Sequence, residues 1–264
     1  MNRPGFTLLD AAHGTRLIAR GLDIRSDDPA LWVLRHPESI RVLHLADLQA
    51  GAQILTTCTF GANRHWLKRF GSADAVAINR RAVEIVRDCI HDVGSHAEIA
   101  GCIGPSSLAS ESAFREQFDA LREAGVQRIV IETISADQVS GLSKLLPESP
   151  GCPVFATLWN WGDDPVVTAR QLADSGLSGW GINCMSDRIE IRNVLAALFA
   201  AGLPATILKP SIAPVDEFKE IAIGSLAFGT TCIGGCCGTD HQHLAALRAI
   251  RDDPKSAAIE PESL

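Results

Sequence analysis

Eight short apolar runs punctuate this chain, and their spacing constrains the fold more than any other feature. They read FTLLDAA (6–12), AQILTTCTF (52–60), EIAGCIG (98–104), RIVIETI (128–134), PVFATLW (153–159), GWGINC (179–184), ATILKP (205–210) and TTCIGGCC (230–237). Runs apolar on both faces predict strands covered on both sides, the habit of parallel sheets flanked by helices. Segments of helical period separate them. Ile191, Val194, Leu195 and Leu198 recur at i, i+3, i+4 and i+7, and Gly202 stands where a helix C-terminal cap belongs. Phe114, Phe118 and Leu121 mark another buried stripe, closed by Gly125. After the last run, Thr239 and Gln242 have the spacing of a capping box, ahead of an inner face of Leu244, Leu247 and Ile250. Eight such units without a compositional break predict an α/β fold, a single (β/α)8 TIM barrel, and 264 residues match the usual barrel length of about 250. An open doubly wound sheet is the alternative, but no G-x-G-x-x-G opens a helix here. The barrel is expected over residues 1–252, with the polar, proline-broken stretch 253–264 as a frayed tail.

Charge narrows the partners. A net charge of −7, from 24 basic and 31 acidic side chains, offers no basic field for nucleic acid or an anionic membrane surface. No uninterrupted apolar segment reaches the roughly 20 residues of a membrane span. The N-terminus enters a strand-like run without the apolar stretch of a secretory leader, so a cytoplasmic protein with reduced thiols is expected. Cys89, Cys102 and Cys152 are then expected to pack as small buried hydrophobes.

In a barrel, chemistry gathers at the C-terminal ends of the strands. Those ends carry Asp10 on the first strand, Glu132 and Thr133 on the fourth, Asn183 and Cys184 on the sixth, and Cys236 with Cys237 on the eighth. Cys184 and the adjacent pair therefore converge on one face. Three thiolates suit zinc, which takes Cys sulfur at about 2.3 Å in a tetrahedron and would keep one position open, the mark of a catalytic site. Buried thiols or a redox pair are the alternatives, because known zinc spacings set cysteines two or more residues apart. Cys232 is expected to point away from this site. Glu132 ends a very apolar strand and requires a cationic partner, either an arginine or the cation of a ligand.

Taken together, GINC, GGCCGTDHQHLAAL, AGAQILTTCTFGANRHWLKRFG, IVIET and LLDAAHGTRL resemble the zinc-dependent homocysteine S-methyltransferases, over about residues 7–250. The resemblance implies a (β/α)8 barrel with one zinc held by Cys184, Cys236 and Cys237, and a homocysteine thiol as fourth ligand. It implies that methionine is the product, that Glu132 meets the ammonium of the amino acid, and that Asp10 and Thr133 share in binding it. Asn183 is expected to orient the site by hydrogen bonds. Two stretches depart from the family pattern. Ala11, Ala12 and His13 replace a glycine-rich turn, and Cys58 replaces an asparagine. Both departures fall on the side where a methyl donor is expected.

Family members use S-methylmethionine, S-adenosylmethionine, betaine, or methylcobalamin on a corrinoid domain. The chain has no tyrosine, which disfavours an aromatic cage for betaine. LWVLRHPESI and FGANRHWLKRFG look more like the cobalamin-linked branch, whose methylcobalamin would have to arrive on a partner protein. Trp159 and Trp161 are expected to cap the rim or to pack over a cationic donor. His13 is expected to be a solvated or hydrogen-bonded loop residue. GPSS (104–107) is a weak phosphate-turn signal. A barrel that only binds zinc or a thiol, and a methyltransferase for another thiol or selenol, are the competing functions.

Overall fold

The computed structural model describes residues 5–71, 74–146 and 151–252. Residues 253–264, expected as a tail, lie outside the described residues. The strands are β1 (Thr7–Leu8), β2 (Ile54–Thr56), β3 (Glu98–Ile103), β4 (Arg128–Ser135), β5 (Val154–Asn160), β6 (Gly179–Asn183), β7 (Ile207–Lys209) and β8 (Cys232–Ile233). All pair in parallel in the order β1-β8-β7-β6-β5-β4-β3-β2. A bridge between Leu9 and Ile54, with Gln53 N–H donating to Leu8 O at 2.7 Å, joins the two ends of that order. The sheet is a closed barrel, not an open doubly wound one.

One long helix follows each strand: α1 (Pro37–Gln49), α2 (Ala75–Asp92), α3 (Glu111–Glu123), α4 (Ala136–Leu145), α5 (Pro165–Ala173), α6 (Arg188–Ala200), α7 (Val215–Ser225) and α8 (His241–Asp252). Asp74, Ser110, Asp164 and Asp187 start α2, α3, α5 and α6 by accepting hydrogen bonds from first-turn amides that would otherwise lack partners. Gly125 and Gly202, just past α3 and α6, take the positive φ of a C-terminal cap. The expected stripes of α3, α6 and α8 are all buried. Among the described residues, no helix is long and apolar enough to cross a membrane.

The period of two along each strand sorts the side chains into two shells. Leu8, Leu55, Ile129, Ile131, Leu158, Ile182, Leu208 and Ile233 pack outward into the helix layer. Leu9, Ile54, Ala100 and Val130 form a separate cluster, joined by Phe155 and Cys232, that fills the barrel at mid-height. Two residues beyond Ile54 and Val130 on the same strand faces stand Thr56 and Glu132, and two beyond Ile207 and Gly181 stand Lys209 and Asn183. The lumen thus changes from apolar to polar toward its C-terminal mouth.

Two expectations about local structure are corrected. β8 ends at Ile233, so Cys236 and Cys237 lie in the loop beyond it rather than on the strand. Thr239 does not cap α8; Asp240 Oδ1 accepts the Gln242 amide at 2.9 Å instead. Thr239 is engaged elsewhere, donating from Oγ1 to Cys236 O at 2.7 Å and accepting from Ala12 N–H at 3.4 Å.

Candidate metal centre and adjoining cavity

Cys184 and Cys236 are brought together by the end of β7. The Cys184 amide donates to Lys209 O at 3.1 Å and the Cys236 amide to the next carbonyl, Pro210 O, at 3.0 Å. Two loops 52 residues apart in sequence are thereby hung on consecutive carbonyls, leaving Cys184 Sγ 2.9 Å from Cys236 Sγ and 3.7 Å from Cys237 Sγ. All three sulfurs lie within 4.8 Å of one another, and among the described residues this is the group able to hold a metal ion. Hydrogen bonds from the Cys236 and Cys237 thiols favour the thiolate at Cys184 and lower its pKa, while the Cys236 and Cys237 thiols are pushed up. Three convergent soft donors on one face fit zinc and leave room for a further ligand. Cys232 stays with the mid-barrel cluster and takes no part.

Backbone strain concentrates here. Thr133 (φ 62°) and Cys184 (φ 58°) are the non-glycine residues with positive φ among the described residues, a conformation that persists where surroundings enforce it. Asn183 supplies part of that enforcement. Its Nδ2 donates to Thr133 Oγ1 at 2.7 Å and its Oδ1 accepts the Thr133 amide at 3.2 Å, tying the ends of β4 and β6 together.

A cavity of about 220 Å³ opens beside the sulfurs. Glu132, Thr133 and Lys209 line it together with all three cysteines and with Ala11, Ala12, His13, Pro29, Cys58 and Phe60. The cation beside Glu132 is neither an arginine nor a ligand group but Lys209, whose Nζ donates to Glu132 Oε1 at 2.7 Å. The same ammonium reaches Asp10 Oδ1 at 3.4 Å. Asp10 is wholly enclosed beneath the cavity, and its other oxygen accepts from Thr56 N (2.7 Å) and Thr56 Oγ1 (2.6 Å). Burial pushes the Lys209 pKa down, but the two carboxylates outweigh it and hold the ammonium well above its ordinary value. For Asp10, burial likewise opposes ionisation, and Lys209, His13 and Thr56 together bring its pKa below the usual carboxylate range.

The turn after β1 is braced from outside. Arg16 makes two parallel hydrogen bonds to Asp47, at 2.8 and 2.6 Å, and the Asp47 carboxylate also accepts the Ala11 amide at 3.4 Å. His13 is not a solvated loop residue. Its Nε2 lies 3.5 Å from Asp10 Oδ2, and its ring meets that of His44 edge-on, with centroids 5.0 Å apart. Burial holds His13 well below the ordinary imidazole pKa, so it stays neutral near pH 7.

Other features seen in the sequence fall outside the site. Cys58 is buried, with Sγ 3.6 Å from Pro29 O, and faces the cavity without joining the thiol cluster. Trp159 and Trp161 do not line the cavity; Trp159 is exposed on the rim and Trp161 is buried. The serines of GPSS are used internally, Ser106 by Asn63 and Ser107 by Gln117. Cys89 and Cys102 are buried as expected, and Cys152 is half-buried.

A closed barrel with three thiols and a small cavity at its C-terminal mouth defines a class: a barrel with a thiol cluster able to hold a soft metal beside a pocket for a small ligand. The homocysteine S-methyltransferase family model matches residues 7–251, and the chain belongs to that family. The betaine–homocysteine S-methyltransferase 1 of Xenopus laevis is 27% identical over 81% of this chain, which spans 65% of the frog protein's length. The methionine synthase of Mycobacterium tuberculosis is 24% identical over 96% of this chain but only 25% of its own length. Among solved structures, the metallated form of the homocysteine methyltransferase MmuM from Escherichia coli superposes with a TM-score of 0.75 at 27% identity, covering 94% of this chain and 97% of that one.

Proposed function

We propose that this protein is a zinc-dependent methyltransferase that transfers a methyl group to the sulfur of a small thiol. The observation that carries the reading is the juxtaposition of Cys184, Cys236 and Cys237 with a cavity large enough for a small ligand. Homocysteine is the acceptor in the names of its relatives, which makes methionine the first product to assay. Zinc held by the three cysteines would supply the Lewis acidity that keeps an acceptor thiol deprotonated near neutral pH.

The chain's own residues position the reaction. The carbonyls of Lys209 and Pro210 fix the two cysteine-bearing loops, and Asn183 holds the strained Thr133 turn against them. Glu132 and Lys209 form the polar wall of the cavity, and Asp10 supports Lys209 from beneath. A thiolate in this cavity would attack the methyl carbon, forming the new S–C bond with its own electron pair. The bond to the leaving group breaks with its electrons on that group. The thiol proton departs to solvent on binding. Holding the two partners in line accounts for most of the acceleration, and no covalent protein intermediate is required.

The donor approaches from the wall of Ala11, Ala12, Pro29, Cys58 and Phe60. Neither tryptophan of the rim pair lines the cavity and the chain lacks tyrosine, which supports a donor other than a caged quaternary ammonium. Methylcobalamin on a partner corrinoid protein is the first donor to test, with S-methylmethionine and S-adenosylmethionine next. A site that needs free thiols fits a reducing cytoplasm.

Metal analysis of reduced protein should find about one zinc per chain, and serine at any of the three cysteines should remove most of it. Zinc-loaded protein mixed with an acceptor thiol near pH 7 should release close to one proton per site, whereas the corresponding alcohol should release none. Full zinc retention in all three serine variants would sink the site assignment.

A further inference from the structure

Two carboxylates converging on one point inside a mostly apolar cavity wall make a receptor for an ammonium ion, and here the chain supplies that ion itself. Lys209 Nζ stands 2.7 Å from Glu132 and 3.4 Å from Asp10. All three groups are buried, with side-chain exposures of 4% for Lys209, 10% for Glu132 and 0% for Asp10. The lysine cannot easily leave, because its own carbonyl anchors the Cys184 amide at 3.1 Å and its stem lies within the barrel lumen. Among the described residues lining the cavity, it is the one lysine or arginine.

A ligand ammonium seeking the same carboxylates would meet one of two obstacles. It could displace Lys209, leaving a buried cation unpaired, which is among the costliest defects a protein interior can carry. Otherwise it must sit beside Lys209 and bear the repulsion of a like charge in a poorly screened setting. The three groups carry one excess negative charge, which sits on Asp10 behind the lysine, out of direct contact with a ligand. Asp10 does not line the cavity, and its remaining lone pairs are taken by the Thr56 amide and hydroxyl. The lining therefore presents a compensated Glu132–Lys209 pair together with carbon surface from Ala11, Ala12, Pro29 and Phe60.

We propose that Lys209 stands in for an acceptor's α-ammonium, and that this protein methylates a small thiol that carries no free amino group. The proposal rests on the thiol methyltransferase reading and refines its substrate. Lys209 is then the residue that sets acceptor specificity, excluding amino-acid thiols by occupying their ammonium subsite.

The decisive probes are homocysteine and 4-mercaptobutanoate, which share thiol, chain length and carboxylate and differ only in the amino group. Proton release on titrating each into the zinc-loaded wild-type protein gives its affinity without any methyl donor. We expect 4-mercaptobutanoate to bind about tenfold or more tightly than homocysteine, the scale of one charged hydrogen bond. In Lys209→Met the order should reverse, because the vacated carboxylates accept the homocysteine ammonium. Metal-free Lys209→Met should also melt higher in the presence of homocysteine than of 4-mercaptobutanoate, a readout independent of zinc. Should that variant not fold, the wild-type comparison decides alone. Homocysteine binding equal to or tighter than 4-mercaptobutanoate in the wild type overturns the proposal while leaving thiol transfer standing. Failure of both thiols to bind defeats the thiol methyltransferase reading and this inference with it.

Discussion

His44, on α1 behind the first strand, is fully buried with neither ring nitrogen hydrogen-bonded. Burial lowers its pKa to about 4, with Asp10 opposing the shift and Arg16 adding to it. The sign of the consequence is fixed. Below about pH 6.5 the unfolded chain takes up a proton that the folded ring refuses until about pH 4, so this residue costs the protein stability as pH falls through that window. The interval corresponds to about 3 kcal/mol at most. Relative to His44→Leu, the wild type should lose about that much unfolding free energy between pH 6.5 and 4, measured by denaturant titration at each pH. Parallel pH profiles for the two proteins would show that the ring titrates normally. Legibility at this scale divides along the same physical line. Glu132 could be recognised as needing a cation, because RIVIE is too apolar to tolerate a lone carboxylate. Its partner could not be identified, because a lysine ending a strand usually sends its head to water, and 77 residues separate the pair. His44 likewise carries no sign in sequence of the ring it packs against.

Two glycines ahead of the thiol pair, Gly234 and Gly235, let neighbouring loops pack closely. A Cβ on Gly235 would lie 2.0 Å from Thr239 Oγ1, the hydroxyl that holds the Cys236 carbonyl, and one on Gly234 would lie 2.6 Å from the Asp10 carbonyl. The loop after β8 is thus pressed against both the turn after β1 and the start of α8. Gly235→Ala should force Thr239 aside, release the Cys236 carbonyl and weaken zinc binding by about ten- to hundredfold, as loss of supporting contacts around a metal site does. Competition with a chromophoric chelator measures it, and an unchanged affinity would refute the role given to Thr239. Element order and helix faces were readable because burial on both strand faces and a 3.6-residue stripe are strong, local patterns. The end of β8 was not readable. TTCIGGCC looks like one continuous apolar run, and only the packing of Gly234 and Gly235 against other loops shows that the strand stops after Ile233.

At the scale of the molecule, the buried apolar clusters that hold the barrel contain none of the three site cysteines. Chelation should therefore leave the far-ultraviolet circular dichroism unchanged. It should lower Tm, since zinc at a thousandfold above its Kd contributes about 4 kcal/mol, on the order of 10 °C for a protein of this size. Loss of the helical signal on chelation would show that the metal holds the fold instead. The barrel's closure has a consequence for how the protein is made. The strand that closes the ring, β8 between β7 and β1, is also the one whose loop carries two of the three sulfurs. A nascent chain that has emerged only through β7 displays one of these thiols beside an open sheet edge. Because synthesis delivers the chain from its N-terminus, the three-sulfur site comes into being only when the eighth unit of the barrel has emerged and docked. A metal held by all three sulfurs would therefore be captured after the ring has closed, and a barrel still open at that edge would offer it only one of them.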